Sequence, residues 1–400
     1  MLNFLLLNTA LLLSAFLLTL RIFPESQKSH LSALSYGFFI YLSAIIVVQT
    51  LLGALGILSC VKLSVVIYCI AIITAIKYYK LLKKFKPPKL KLTKYHIAAT
   101  LILLPLTAFS LVEFYNAIVL PVWEFDSIAY HMPMIRHYAL SGNLWDVFYS
   151  AYAGPVSYYP ASGDLLYLWN VLSIGNDSLA NITNSFLLAI LALTAYCFAR
   201  QIKLDKGPAL LFTALLAYSP ILLKEVGTIH VDLFMTLSLL YVLIFLHKFG
   251  TNKNPLHILT TGAALGLFIG TKYLAVPFAV IPTAIFLYLI IKHFKKSHIK
   301  YLLAALLISI FTGAFWYLRN WIIAKNPLYP AEFLGFTGYK DLTAHIKTLS
   351  LSYNLEAMDI EQIKAFTKRY FFRSGAQALL IPLAFLTLIL SFIFKKLRAK

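Results

Sequence analysis

Long apolar runs separated by short polar interruptions set the pattern of this chain. Runs at 2–22, 36–58, 61–79, 96–119, 179–199, 207–223, 231–247, 256–270, 273–291, 301–318 and 376–394 approach the roughly 20 residues that a helix needs to cross a bilayer core. The pattern predicts an all-α polytopic membrane protein with about eleven transmembrane helices. The first run, MLNFLLLNTALLLSAFLLTLRIF, has no basic leading segment and exceeds the length of a signal core, so it reads as a span.

Lys and Arg lie between the runs: in KYYKLLKKFKPPKLKLTKYH (77–96), at Arg200, Lys203 and Lys206, in HKFGTNK (247–253), in KHFKKSHIK (292–300) and in the tail KKLRAK. With strict alternation these all fall on one side, which identifies the cytoplasm. The N-terminus is then outside and the C-terminus cytoplasmic. Of the acids only Glu25 and Asp205 fall inside. That segregation was not used to set the orientation, and it marks the outer face as the working face.

Two outer segments exceed simple turns, 120–178 and 319–375. The first holds the aromatic run VFYSAYAGPVSYYP and an amphipathic GDLLYLWNVL; the second ends in NLEAMDIEQIKAFTKRYFFRSG, whose spacing suggests helix lying along the membrane. Both are too aromatic and apolar for disorder. The Lys/Pro-rich KKFKPPKLK (83–91) is the best boundary, dividing a three-helix N-terminal unit (1–95) from an eight-span remainder (96–400).

Composition agrees with the membrane assignment: 60% of residues are hydrophobic and 12% charged. The formal charge of +20 does not point to nucleic acid, because the basic residues sit where the positive-inside rule puts them. Cys60, Cys69 and Cys197 have no metal spacing and read as small buried hydrophobes.

Candidate chemistry starts in PVWEFDSIAYHMPMIRHYALSGNLW (121–145), where Glu124, Asp126, His131, Arg136 and His137 crowd the end of a span. Asp126, between Trp123 and Tyr130, is a partly desolvated carboxylate suited to proton abstraction; the alternative is a helix cap. Glu124 is a metal ligand, a like-charged neighbour or an interfacial acid. His131 and His137 fit packing or hydrogen bonding better than ligation. EVGTIHVDLFM (225–235) brings Glu225, His230 and Asp232 to another outer mouth. Asp232 enters the apolar run, where an ionisable group signals function unless it or Thr228 caps the helix. Glu124, Asp126, Asp232 and His230 form a candidate set for one divalent cation, Mg, Mn or Zn, without a supporting motif.

Lys272 in GTKYL, and Arg319 with Asn320 in FWYLRNWIIAKNPLYP, are rim groups that can clamp a phosphate. Equally, such cations snorkel to headgroups while Trp316, Tyr317 and Trp321 form an aromatic belt. The aromatic run 148–159 is either an interfacial girdle or a surface on which sugar rings stack.

In their order, FDSIAYHMPMIRHYALSGNLW…SYYPASGDLLYLW, HVDLFMTLSLL, GAALGLFIGTKYLAVPF and WYLRNWIIAKNPLYP resemble GT-C-type membrane glycosyltransferases. The branch is the dolichyl-phosphate-mannose–protein mannosyltransferase and aminoarabinose transferase group, and the resemblance covers about 96–400. It implies a prokaryotic plasma-membrane enzyme that moves a sugar, with inversion, from a polyprenyl-phosphate carrier to a protein, glycan or lipid acceptor on the extracytoplasmic side. Asp126 matches the general base. Glu124, Asp232 and His230 would orient the acceptor or hold a cation. Lys272, Arg319 and Arg136 would meet the donor phosphate, with His131, Asn320 and Tyr329 in support. The N-terminal three spans are not part of the shared unit. A transporter or lipid-carrier flippase is the main rival; it predicts inverted repeats and midplane charges, whereas here the acids gather at one rim. A non-catalytic assembly protein of the same fold is a second.

Overall fold

A computed structural model describes residues 1–24, 29–82, 94–150, 154–332 and 335–339. The expected span 376–394, most of the segment 319–375, Glu25 and the basic linker 83–91 lie outside the described residues. Within them every regular element is helical, and an isolated bridge pairs Ser150 with Gly154. The chain begins with α1 (Leu2–Ile22), α2 (His30–Ala54), α3 (Cys60–Leu82) and α4 (Lys94–Val119). Two short helices follow in the segment 120–178, the first of the two expected to lie outside, α5 (Met132–Ser141) and α6 (Asp164–Ile174). The rest is α7 (Thr183–Gln201), α8 (Lys206–Ala217), α9 (Pro220–Glu225), α10 (Asp232–Asn252), α11 (Leu256–Ile269), α12 (Ala275–Lys292), α13 (Ile299–Ser309) and α14 (Phe315–Ala324). A π-helical turn over Ile310–Ala314 joins α13 to α14, so Lys296–Ala324 forms one helix of 29 residues.

Eight helices among the described residues are long and apolar enough to cross a membrane. The runs expected at 207–223 and 256–270 form helices of 12 and 14 residues, about 18 and 21 Å at 1.5 Å per residue. Pro220 ends the first of these runs and opens α9. The second span begins at His30 rather than 36, because the Ser29 hydroxyl caps it by accepting from Ser32 N at 3.4 Å.

The helices of the first 82 residues share a continuous apolar core with the remainder, running from Leu7 and Leu11 through Ile45 and Ile67 to Leu191, Phe245 and Trp316. Polar pairs inside the bundle fix the register of that packing. Ser35 meets Thr194 at 3.1 Å, and Gln49 Nε2 donates to Leu165 O at 2.7 Å. Trp169 Nε1 donates to Asn8 Oδ1 at 3.1 Å. In an apolar medium each such pair removes a costly orphan polar group.

Helix α6 differs from the amphipathic interfacial helix expected at 163–172. Nearly all of it is buried, including Asp164 and Asn170. The polar side is not facing headgroups: Asn170 Nδ2 donates to Thr183 Oγ1 at 2.8 Å, and Asp164 turns to a histidine of the same outer segment.

The tightest contact is between α11 and the α13–α14 helix. Gly262, Gly266 and Gly270 recur every fourth residue and form a stripe along one face of α11. A Cβ on Gly266 would stand 2.0 Å from Thr312 Oγ1, and one on Gly313 1.9 Å from Gly266 O. Ser162 enters the same crossing, donating from N to Gly270 O at 2.8 Å and from Oγ to Thr312 O at 2.8 Å. This close approach fixes the end of α11, and with it Thr271 and Lys272, against the start of α6.

The first outer segment is also tied to the α2–α3 connection. Leu144 N donates to Gly53 O at 3.0 Å, Trp145 Nε1 to Ala54 O at 2.8 Å, and Leu58 N to Gly142 O at 2.9 Å. Gly142 has φ +65, and a Cβ there would meet Leu58 O at 2.6 Å, so the left-handed turn and the approach both require glycine.

Candidate active site

Residues 127–141 form a helix that opens with a π-helical turn, Ser127–His131, and continues as α5. Such turns re-aim side chains relative to regular α-helix. Asp126 stands at the N-cap position but makes no capping bond. Glu124 does that work instead: its Oε2 accepts from Ser127 N at 3.0 Å and Ser127 Oγ at 3.2 Å. Asp126 is half-buried and has no hydrogen-bonded side-chain partner among the described residues.

The segment between α9 and α10 is held from beneath by Asn184 of α7. This buried amide donates to the carbonyls of Glu225 (2.9 Å), Thr228 (3.2 Å) and His230 (3.0 Å). Ile229 N reaches Ser127 Oγ at 3.1 Å, docking the segment on the π-turn. His230 then lies between two carboxylates, with Nε2 2.6 Å from Glu124 Oε2 and Nδ1 2.9 Å from Glu225 Oε2, the latter contact off the line of a good hydrogen bond. Burial alone would disfavour its charge. Glu225, and then Glu124, outweigh that and push the imidazole up to about 9. Burial likewise opposes ionisation of Glu124, but the Ser127 N–H and His230 overcome it and hold the carboxyl below its usual range.

Beside this cluster lies a cavity of about 290 Å³. Tyr130, His131 and Met134 supply one wall, Tyr159, Pro160 and Asp164 a second, and Thr271, Lys272 and Tyr273 a third. Gly163 allows the walls to meet, since a Cβ there would be 2.7 Å from Val231 Cγ1. Asp164, 3% exposed, contacts His131 Nδ1 at 2.5 Å. Asp232, in the first turn of α10 where the helix dipole favours an anion, receives Lys272 Nζ on both oxygens at 3.1 and 3.0 Å. Tyr130 senses the whole arrangement. Burial first, then the charges of Asp126, Asp164 and Asp232, drive its hydroxyl far above the ordinary phenol range. The phenol therefore stays protonated and remains a donor. Of the expected site residues, Lys272 and His131 line this cavity and Asp232 joins it through its bond to Lys272, while Asp126 is not among the lining residues.

Arg319 is placed otherwise than a phosphate clamp requires. It is 0% exposed, and every donor is spent. Nη1 donates to Tyr138 Oη (2.9 Å) and Leu144 O (3.1 Å), Nη2 to Ser157 O and Asn320 Oδ1, and Nε to Asn320 Oδ1 (3.3 Å). Trp316 stacks 4.9 Å from its guanidinium. Arg319 thus locks the first outer segment to α14. Asn320 lies directly behind the cavity wall, donating to Tyr158 O, to Tyr273 Oη at 2.8 Å and to Tyr329 O at 3.3 Å. Tyr329 contributes that carbonyl, and its ring packs 4.6 Å from Tyr158. Of the described residues in the aromatic run 148–159, Tyr149, Tyr158 and Tyr159 make ring contacts of this kind, and Tyr159 reaches the cavity. Arg136 is exposed on the opposite face of α5, in a separate groove of about 870 Å³ with Asp177 and the Gly175 end of α6. Helix α5 separates it from Lys272.

For a divalent cation, the described residues offer no group of three or more His, Cys, Asp or Glu side chains in holding geometry. Glu124 is engaged by Ser127 and His230, and Asp232 by Lys272. The residues not foreseen as site groups are Asp164 and Asn184, and Tyr130 as part of the cavity wall; the sequence already groups Glu225 with His230, and the structure adds its contact with His230 Nδ1.

Residues 165–317 match the family described as Dolichyl-phosphate-mannose-protein mannosyltransferase, a class of GT-C-type membrane glycosyltransferases. The match spans α6 to the start of α14 and contains His230, Asp232 and Lys272, while Asp126, His131 and Arg319 lie outside it. No curated protein and no solved structure matches the chain.

Proposed function

We propose that the protein is an integral-membrane glycosyltransferase of the GT-C type. In this reading it transfers a sugar from a polyprenyl-phosphate carrier to a hydroxyl acceptor in or at the membrane, on the extracytoplasmic side. The observation that carries the reading is the cavity lined by Tyr130, His131, Asp164 and Lys272, where the Lys272 ammonium is held on both oxygens of Asp232. The family match over 165–317 supports the same class.

The chemistry follows from charge. The acceptor oxygen attacks the anomeric carbon from the face opposite the phosphate, and the C–O bond to phosphate breaks. The phosphate leaves with the electron pair as an already ionised lipid anion, so no acid needs to protonate it. Asp126, whose carboxylate is uncommitted, receives the acceptor proton. Lys272 has two of its three N–H bonds turned toward Asp232 and one in reserve for phosphate oxygen, where a fixed cation stabilises developing charge. Tyr130, held protonated, adds a neutral donor.

The test is transfer by the purified protein in lipid nanodiscs, supplied with radiolabelled polyprenyl-phosphate sugars and a panel of acceptors. Label leaving the carrier for an acceptor is the expected result. Carrier and sugar crossing a vesicle membrane together, with the glycosyl bond intact, would instead establish the flippase.

A further inference from the structure

The buried pair formed by His131 and Asp164 has no part in the reaction just described, yet it is the most completely enclosed ionisable group on the cavity wall. Asp164 is 3% exposed and His131 4%. Among the described residues Asp164 has no Lys or Arg partner; its 2.5 Å contact with His131 Nδ1 and its place in the first turn of α6 are what compensate its charge. Buried carboxylates without compensation are costly, so Nδ1 carries the proton that Asp164 accepts. In the neutral imidazole the other ring nitrogen, Nε2, then holds a lone pair. It has no partner among the described residues, and His131 lines the cavity. A carboxylate behind an imidazole, with the far nitrogen turned to a ligand space, fixes both the tautomer and the ring orientation.

The space before it has a definite character. At about 290 Å³ it lies at the small end of the range for ligand sites. Its walls are predominantly apolar, with Met134, Val156, Val231 and Leu274 beside Tyr159 and Tyr273, and the few polar groups among them are Lys272, Tyr130, Thr271 and the His131–Asp164 pair. Aromatic faces, a hydroxyl donor and one oriented acceptor suit a single polyhydroxylated ring. We propose that His131, oriented by Asp164, binds the transferred sugar directly, its Nε2 accepting a hydrogen bond from a ring hydroxyl. The pair is then a sugar-selecting device separate from the base and the phosphate cation. The inference rests on the transferase reading for the identity of the ligand, but its test does not require turnover.

Diethyl pyrocarbonate acylates an unprotonated, unblocked imidazole nitrogen, and the adduct on His131 is read by peptide mass spectrometry. In nanodiscs the wild-type protein is treated alone, with polyprenyl phosphate, and with polyprenyl-phosphate mannose and other polyprenyl-phosphate hexoses. Binding of the radiolabelled lipids is measured in parallel. The expected result is protection of His131 by at least one sugar-bearing lipid and not by the bare phosphate. His131→Phe should weaken binding of that lipid about tenfold, the value of one well-made hydrogen bond at the upper end of its range, with little change for polyprenyl phosphate. His131→Gln, which retains an acceptor oxygen, should recover part of the loss. Asp164→Asn should also reduce the protected fraction while the melting temperature stays within a few degrees, because an amide can donate to Nδ1 and reverse the tautomer. Binding of a sugar lipid that leaves His131 fully reactive overturns this inference and spares the transferase reading. Failure of every sugar lipid to bind overturns both.

Discussion

Glu124 and His230 are separated by 106 residues in the chain and by 2.6 Å in the fold. Their contact closes the first outer segment onto the entry to α10, and Glu225 completes it from the other ring nitrogen. Because the folded imidazole is raised from 6.5 to about 9, the folded state binds a proton more tightly than the unfolded chain. Its contribution to stability is therefore present in full below pH 6.5 and is lost as pH rises through about 9. Glu124 has the opposite sign: its lowered value contributes above the ordinary 4.5 and is lost as pH falls. Thermal melting in nanodiscs from pH 6 to 10 should show a decline that His230→Phe flattens. A wild-type profile level from 6.5 to 9.5 would contradict the ion-pair assignment.

Asp126 and Glu124 lie two residues apart and take different parts, since only Glu124 caps the π-turn. Asp126→Asn should consequently leave the melting temperature nearly unchanged and abolish transfer, a loss of about 10²–10⁴-fold for a positioned base. Glu124→Gln should do the reverse in proportion, lowering stability more than chemistry. Equal activity of the Asp126 variant and wild type removes the base.

Arg319 separates a structural role from a binding one. Arg319→Lys keeps the charge but cannot span Tyr138, Leu144, Ser157 and Asn320 at once, so several buried acceptors lose their donor. Each such loss costs about 1–3 kcal/mol, and the variant should melt far below wild type or fail to accumulate. A phosphate clamp predicts something else: normal melting with a raised KM for the lipid donor.

How much of this was legible in the sequence depends on where the partner of each residue lies. Spans announce themselves through local apolar length, and α1, α3, α7 and α10 stand close to their expected positions. Helix α6 misled because Asp164 and Asn170 look like a solvent face, when their partners, His131 and Thr183, approach only in the folded protein. Arg319 was visible as an unusual cation among aromatics. Two of its partners are backbone carbonyls, Leu144 O and Ser157 O, for which side-chain identity carries no signal. Asn184 is the extreme case, one ordinary amide that holds three carbonyls of a distant segment. The α11 crossing was legible in principle, since glycine at every fourth position is a local pattern.

That crossing yields its own prediction. Gly313→Ala would place a methyl 1.9 Å from Gly266 O, against backbone that cannot yield without separating α11 from α14. Overpacking of this kind costs about 1–3 kcal/mol or more, and because Lys272 follows α11 directly, donor affinity should fall with stability. Gly207→Ala in α8, where nothing lies within 4 Å, is the control and should leave melting unchanged or slightly raised. A Gly313→Ala protein as stable as the control would mean the helices are farther apart than described.

Lys272 and Asp232 give the sharpest contrast between stability and function. Their side chains are 41% and 31% exposed, and an ion pair so open contributes only about 0.2–1 kcal/mol to folding. Neither partner is committed to the fold, so the ammonium is free to exchange one Asp232 oxygen for a phosphate oxygen at little cost. Lys272→Met should therefore melt near wild type yet lose about 10²–10³-fold in transfer, as removal of one preorganised donor does elsewhere. Asp232→Asn should keep the cation but release its orientation, giving a smaller loss. If both act on one phosphate contact, the double variant should be no worse than Lys272→Met alone, since the aspartate has nothing left to orient. Fully multiplicative losses would show that Asp232 serves the reaction independently, at the acceptor rather than through Lys272.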